Sequence, residues 1–375
     1  MTDAISLLDK SAEFTDGPPP LEGFSWCSNG ANLYIFGGSF QGSETNSLYS
    51  FSFANGWKKW ECKGEAPSGR CGASLGVCNG FLFVFGGLSL NKGWHKDLHK
   101  LNLKDECWEE IQAGKAEFWP EQRDKSHFAV HGSKLYLFGG FGPDNEELTQ
   151  EGDAVAFRCR KDFCCFDTST EKWSKLTPGP SYPKRGSSAH SLTTVGKQIL
   201  LFAGMKDNGQ RGNDAHIFHP QSGIWERLEL KNPPPERSFQ AAAAISDRQL
   251  LVFGGRDADD EELNDFHLLD LQKRKWTEPM MEDAEGVAAV YGHAMVLLCQ
   301  GDAKKLVIYG GLADVEEETG APNSILTNLL VADPSLFVAQ MAVLDEEAPL
   351  TKLSSTEIST EGSENKKPRL ETENP

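Results

Sequence analysis

The stretch LLVFGGRDADDEELNDFHLLDLQKRKW, residues 250–276, constrains the fold more than any other part of the chain. An apolar run stops on Gly254 and Gly255, and Trp276 follows the second glycine after 21 residues. The arrangement recurs. NLYIFGG ends at Gly38 with Trp60 after 22 residues, FLFVFGG at Gly87 with Trp108 after 21, and QILLFAG at Gly204 with Trp225 after 21. KLYLFGG ends at Gly140 with Trp173 after 33, and KLVIYGG ends at Gly311 with no tryptophan behind it. Self-similarity at a period near 50 residues marks one supersecondary unit stacked several times, each unit burying the face of the next.

Within a unit the apolar pattern changes in a fixed order. In the fifth, FQAAAAIS (239–246) is small and apolar, as an innermost strand crowded round an axis must be, and QLLVFGG (249–255) reads as a fully buried second strand. DFHLLDL (265–271) alternates, and KWTEP (275–279) is a short outer strand closed by proline. This is a four-stranded antiparallel meander. The glycine pair ends the second strand because the chain there turns at positive φ or lies against another backbone, and the tryptophan is expected to fill the space it leaves. Blades follow at 23–66, 70–116, 123–178, 185–232, 237–281 and 286–344. In the sixth, LLVADPSLFVAQMAVL stands where the third and fourth strands belong, with Ala339 at the tryptophan position; alternatively AISLLD (4–9) supplies the outer strand and closes the ring.

Composition fits one large all-β domain over 21–344, preceded by a segment 1–20. In 375 residues there are 37 glycines and no apolar stretch of the 18 residues that a membrane helix needs. The start, MTDAISLLDKSAEF, lacks the basic and apolar regions of a secretory signal. Nine cysteines without paired spacing suit a reducing compartment, so cytosol or nucleus is expected. Residues 345–375 hold few large apolar side chains and are expected to be a disordered acidic tail. In it NKKPRLE (365–371) is a short basic cluster compatible with nuclear import.

LYIFGG, LFVFGG, LYLFGG and LLVFGG, each with a tryptophan downstream, resemble the kelch repeat over residues 21 to about 344. The resemblance implies a six-bladed kelch β-propeller with four antiparallel strands per blade. Kelch propellers are mostly protein-binding modules, with a minority of enzymes and lectin-like members, so function has to be argued from the site.

In a meander the loops from second to third strand share a face with the loops between blades. Those loops carry Arg70, Arg123, Lys125, Lys184, Arg185, Arg211, Arg237 and Arg256, on a chain whose formal charge is −18. A basic ring at a concave mouth would focus positive potential on an anionic ligand. The bland alternative is that each arginine pairs with an acid of a neighbouring loop, where Asp144, Glu146, Glu147, Asp207, Asp257, Asp259 and Asp260 are available. A polyanion such as nucleic acid is disfavoured by the net charge.

RDKSHFAVHGSKLYLFGGFG (123–142), QRGND (210–214) and PERSFQ (235–240) resemble the kelch domain-containing protein 2 group, substrate receptors of cullin-RING ubiquitin ligases that read C-terminal degrons. The resemblance implies a terminal-carboxylate pocket at Lys125, Arg211, Ser238 and Phe239. An Arg fork holds a planar carboxylate by two parallel bonds, and a hydroxyl and a lysine complete the shell. The sequence departs from the group at Met205, where a second arginine is usual, at Arg160 and Phe141, where aromatics are usual, and at Phe239, where tryptophan is usual. DPSLFVAQMAVLDEEAPL also lacks the cysteine of the Elongin-docking helix.

Enzymatic alternatives find no constellation. The histidines show no copper-oxidase grouping with Tyr and Cys, EELNDFHLL has Leu269 where an iron-binding histidine would stand, and CRKDFCC (159–165) lacks zinc spacing and reads as buried thiols. His127, His190 and His293 start innermost strands and read as core histidines. The expectation is a non-catalytic module without cofactor, binding an acidic or C-terminal peptide through Arg211, Lys125, Ser238, Phe239, Phe141, Arg160, Arg237, Arg256, Arg185 and Arg70. The runner-up is an enzyme or sugar-binding propeller using the same mouth.

Overall fold

A computed structural model describes residues 5–114, 117–144, 156–177, 179–281, 287–300, 302–313, 324–338 and 340. Ala339, Glu146, Glu147 and the tail 345–375 with its basic cluster lie outside them. The chain forms six antiparallel sheets, innermost strand first. Blade 1 is Ser25–Ser28, Leu33–Phe36, Leu48–Ser52 and Gly56–Lys59; blade 2 is Ser74–Cys78, Phe81–Phe85, Leu98–Asn102 and Cys107–Ile111. Blade 3 is Phe128–His131, Lys134–Phe138, Phe163–Asp167 and Lys172–Lys175; blade 4 is Ser191–Val195, Gln198–Lys206, Arg211–His219 and Ile224–Arg227. Blade 5 is Ala241–Ser246, Gln249–Phe253, Phe266–Asp270 and Lys275–Thr277. The second strands are buried along nearly their whole length, as their unbroken apolar sequences require.

Blade 6 shows how the ring closes. Ala294–Gln300, Ala303–Ala313 and Ser324–Ala332 are its first three strands, and its fourth is Leu8–Asp9 from the N-terminus, with Leu8 opposite Val331 and Asp9 opposite Leu330. LLVADPSLFVAQMAVL therefore does not supply two strands. After Ala332 the chain turns helical at 334–338, where Pro334 can open a helix but could not donate to a ladder.

The glycine pairs work between blades. The amide of the second glycine donates to a carbonyl at the start of the next blade: Gly38 to Arg70 (2.9 Å), Gly87 to Arg123 (2.8 Å), Gly140 to Ser187 (2.8 Å), Gly204 to Arg237 (2.9 Å) and Gly255 to Val290 (2.9 Å). Gly255 has φ +100°, and a Cβ there would stand 2.6 Å from the Ser238 carbonyl oxygen, so no side chain fits.

The tryptophans answer to the neighbouring blade too, which corrects the expectation that each fills the space of its own glycine pair. Trp108 packs on Phe36, Trp173 on Phe85, Trp225 on Phe138 and Trp276 on Phe202, each the aromatic near the end of the preceding blade's second strand. In blade 1 the residue at this position is Trp57, opposite Phe51 and 4.8 Å from Tyr309, and not Trp60, which lies past the strand and donates to Ser50 Oγ. At the seam between blades 5 and 6, Ile5 and Phe337, both fully buried, complete the cluster around Phe253 and Phe266. The core is thus six inter-blade seams in a closed ring.

Candidate functional site

One residue per blade, just before the innermost strand, adopts a left-handed conformation: Gly23, Gly72, Lys125, Ala189, Phe239 and Gly292, with φ between 50° and 65°. Their main chains hydrogen-bond in series. Gly72 donates to Gly23, Lys125 to Gly72, Ala189 to Lys125, Phe239 to Ala189 and Gly292 to Phe239, at 2.8 to 3.0 Å. This belt encircles the axis at the face bearing the inter-blade loops and the loops after the glycine pairs. Bridges such as Cys71 to Leu88 and Ser238 to Arg256 tie the two loop sets together there.

Inside the belt is a cup of about 530 Å³. Phe24, Trp26, Phe239, Tyr291 and Leu88 give it an apolar wall, Glu22, Glu44 and Asp124 are its acids, and Lys125 is its one cationic lining side chain among the described residues. Below it an axial channel of about 280 Å³ runs between the innermost strands. Trp26, His127 and Gln240 line both.

The basic ring expected from the sequence is dismantled by pairing. Arg70, Arg123 and Arg237 are 1%, 0% and 0% exposed and repeat one clasp. Arg237 donates Nη1 and Nη2 to Asp265 at 2.7 and 2.8 Å, Nη1 to the Gly254 carbonyl at 3.1 Å and Nε to the Pro235 carbonyl at 3.2 Å. Arg70 does the same with Asp97, Gly86 and Ser68, and Arg123 with Asp162, Gly139 and Glu121. Arg70 and Arg237 are therefore not ligand residues: a charge so deep is held only by a carboxylate partner, and the fork is used in fixing each blade's start to its own middle loop. Burial opposes ionisation of Asp265, yet hydrogen bonds from Arg237 and His267 hold its carboxyl well below the usual range.

Blade 4 has Ser187 at the clasp position, and Lys206 takes over from the opposite side. Its Nζ lies 3.1 Å from Asp214 and donates to the Ala203 carbonyl at 3.3 Å. The sequence reading missed Lys206. The signal was there, since this blade keeps the aspartate and lacks the arginine.

The other candidates separate into three groups. Arg160 is buried and donates to the carbonyls of Gln122 (3.2 Å) and Pro143 (2.6 Å); burial lowers its pKa, and it is removed from the ligand set because its donors face main chain. Phe141 joins Trp94 and the half-exposed Phe157 in an aromatic cluster, with Lys125 Nζ 5.4 Å from the Phe141 ring and 3.2 Å from Asp124. Arg185 is exposed on the rim, away from the cup lining.

The third group is brought together. Arg211 Nε donates to the fully buried Ser238 Oγ at 2.8 Å, and Arg211 Nη2 pairs with Asp260 Oδ1. Arg256 lies over the Tyr291 ring at 4.0 Å, 3.1 Å from Glu262 and 3.5 Å from the same Asp260 oxygen. Phe239 and Tyr291, ring centroids 6.0 Å apart, connect this cluster to the cup. Asp260 and Tyr291 were not singled out from the sequence; nothing local marks them. Opposite, blades 1 and 2 turn Phe40 (37% exposed) and Leu90 (77%) outward, and the Leu90 amide donates to Glu44 at 2.6 Å.

The profile of the KLHDC2/KLHL20/DRC7 Kelch-repeats domain matches residues 9–204 and 189–351, the whole ring just described. The chain belongs to this kelch-repeat family. Its kelch propeller is 27% identical over 325 residues to kelch domain-containing protein 1 of Mus musculus, covering 80% of this chain and 77% of that protein. It is 25% identical over 339 residues to kelch domain-containing protein 2 of Bos taurus, 82% and 80% of the two chains. It is also 28% identical over 298 residues to acyl-CoA-binding domain-containing protein 4 of Arabidopsis thaliana, 76% of this chain and 40% of that one. The kelch propeller is of the protein-interaction kind, as these relatives' shared domain indicates.

Little in this kelch propeller suggests chemistry at the axis. Among the described residues no group of three His, Cys, Asp or Glu side chains is placed to hold a metal. His190 and His293 pack edge-on against Phe138 and Phe253, and burial keeps them neutral, with His293 lowered to about 3. His127 at the neck is likewise lowered to about 4 by desolvation. Burial pushes the Cys71 thiol in the cup wall up to about 12, which leaves it un-ionised and a poor nucleophile.

Proposed function

We propose that the mouth face binds a short peptide segment of a partner protein, with apolar side chains in the cup and a carboxylate, from an acidic residue or a chain end, at the Arg211–Ser238–Arg256 cluster. The observation that carries this reading is the convergence of two guanidiniums from adjacent blades on one carboxylate oxygen at the edge of an apolar cup. Exposed Phe40, Leu90 and Phe157 on blades 1–3 of the same face give a bound segment apolar surface beyond the cup. Lys125, only partly engaged by Asp124, supplies a further donor from the cup wall.

Attachment to a ubiquitin ligase is left out of the proposal, because Leu336 and Phe337 of the short helix 334–338 are committed to the core of blades 5 and 6. A pooled peptide display with free and amidated C-termini, followed by fluorescence polarisation on selected sequences, tests the reading. Each charge-assisted bond is worth about 1.5–3 kcal/mol, so Arg211→Ala should weaken binding by one to two orders of magnitude. Unchanged affinity in Arg211→Ala, or selected peptides free of any carboxylate, would remove the cluster from the site.

A further inference from the structure

The geometry points to Asp260 as a built-in occupant of the carboxylate position, which a ligand must displace. The inference rests on the carboxylate reading above. Asp260 stands at the tip of the loop 257–262 in a left-handed conformation, φ +71°. The loop is organised without it, because Asp257 Oδ1 accepts from the amides of Asp259 and Glu261 at 3.0 Å each, and the Asp260 amide donates to the Asp257 carbonyl. The Asp260 side chain is thus not needed to shape its own loop. It pairs with Arg211 of blade 4 and reaches Arg256 of blade 5 with a single oxygen, Oδ1.

The pairing is lopsided in solvent access. Asp260 is 62% exposed, whereas Arg211 is 10% and Arg256 is 17% exposed. The two cations are held in place by buried contacts, Arg211 through Ser238 Oγ and Arg256 through Glu262 and the Tyr291 face. Their anion is not held in place by anything comparable. A carboxylate swung away from this notch regains water at little cost, since exposed ion pairs contribute weakly. The notch it leaves keeps its two guanidiniums preorganised, and any other carboxylate of similar reach can enter. Contrast Asp265, whose clasp with the fully buried Arg237 uses both oxygens and admits no exchange. Asp260 therefore sets a threshold: a weakly presented carboxylate loses to it, and one delivered with a peptide anchored in the cup wins through its higher local concentration.

The test uses the full chain, 15N-labelled, with N-acetylglycine as the chain-end mimic and N-acetylglycinamide as its uncharged control. The Nε–Hε resonances of Arg211 and Arg256 report occupancy. Asp260→Asn keeps the shape and tolerates the positive φ, and Asp260→Gly removes the side chain altogether, so the fold survives in both. Both variants should bind N-acetylglycine about three- to fivefold more tightly than the unaltered protein, the worth of one exposed ion pair. N-acetylglycinamide should move neither resonance. Equal dissociation constants in all three proteins would overturn the role of Asp260 while leaving the carboxylate reading intact. Equal shifts from acid and amide, or no shift in either variant, would overturn the reading and the inference together.

Discussion

Replacing Arg237 by alanine tests the division of labour on which the site description depends. The substitution deletes four donated hydrogen bonds, two to Asp265 and one each to the carbonyls of Gly254 and Pro235. It leaves the Asp265 carboxylate, 22% exposed, with His267 at 2.6 Å as its remaining neighbour. Removing one partner of a buried pair costs about 3–5 kcal/mol, and the partial exposure of Asp265 places this case near 3 kcal/mol. Lys206→Ala is the internal comparison. Lys206 is 13% exposed and holds Asp214 by one contact at 3.1 Å, so its loss should cost nearer 1 kcal/mol. Acid weakens the Arg237 clasp in a definite direction. The Asp265 carboxyl titrates below its unfolded value of about 3.9, so the clasp contributes fully above that pH and its contribution disappears as pH falls through the lower folded value. Urea unfolding followed by tryptophan fluorescence, at pH 7 and near pH 2, measures both effects. A loss below 1 kcal/mol in Arg237→Ala, equality with Lys206→Ala, or a loss that does not shrink in acid would refute a structural assignment of the buried arginines.

Three further outcomes follow from the seams. Gly255→Ala should destabilise far more than Gly209→Ala: both have positive φ, costing about 1–2 kcal/mol for any side chain, but only Gly255 would press a Cβ against a carbonyl oxygen, and chemical denaturation of the pair reads the difference. Trp276→Ala should cost about 3–5 kcal/mol of folding free energy by loss of a 1%-exposed indole. Trp276→Phe should recover most of it, because the indole Nε1 has no hydrogen-bond partner to lose among the described residues. Deleting residues 1–10 removes the buried Ile5 and the strand paired to Leu330 and Val331, and should lower the melting temperature in calorimetry by at least about 5 °C.

The blades were legible because a repeat multiplies a weak signal. A single apolar run before two glycines could end many structures; the same run six times over at one period admits few architectures. The strand edges in blade 5 came within a residue or two of 241–246, 249–253, 266–270 and 275–277 for the same reason. The site was less legible, because a list of cations in like-facing loops does not say where their carboxylates are. Arg70, Arg123 and Arg237 look like Arg211 and Arg256 in the sequence, and only the position of Asp97, Asp162 and Asp265 across the blade separates scaffold from surface. Lys125, Arg211, Ser238 and Phe239 were found by local resemblance; Asp260, Tyr291 and Lys206 act through neighbours dozens of residues away and left no local pattern.

The sequence by itself determined the unit, since period, glycine pairs and tryptophans act through contacts that every blade repeats with the next. It also determined that the molecule is acidic while its cations cluster in one set of loops. Tertiary structure alone decided that Leu8 and Asp9 close the ring, that tryptophans pack backward onto the preceding blade, and which guanidiniums remain near the surface. The physical reason is common to all three. Pairing and burial depend on what the closed ring brings within a few ångströms, and a chain whose ends meet only on closure carries that information in no single segment.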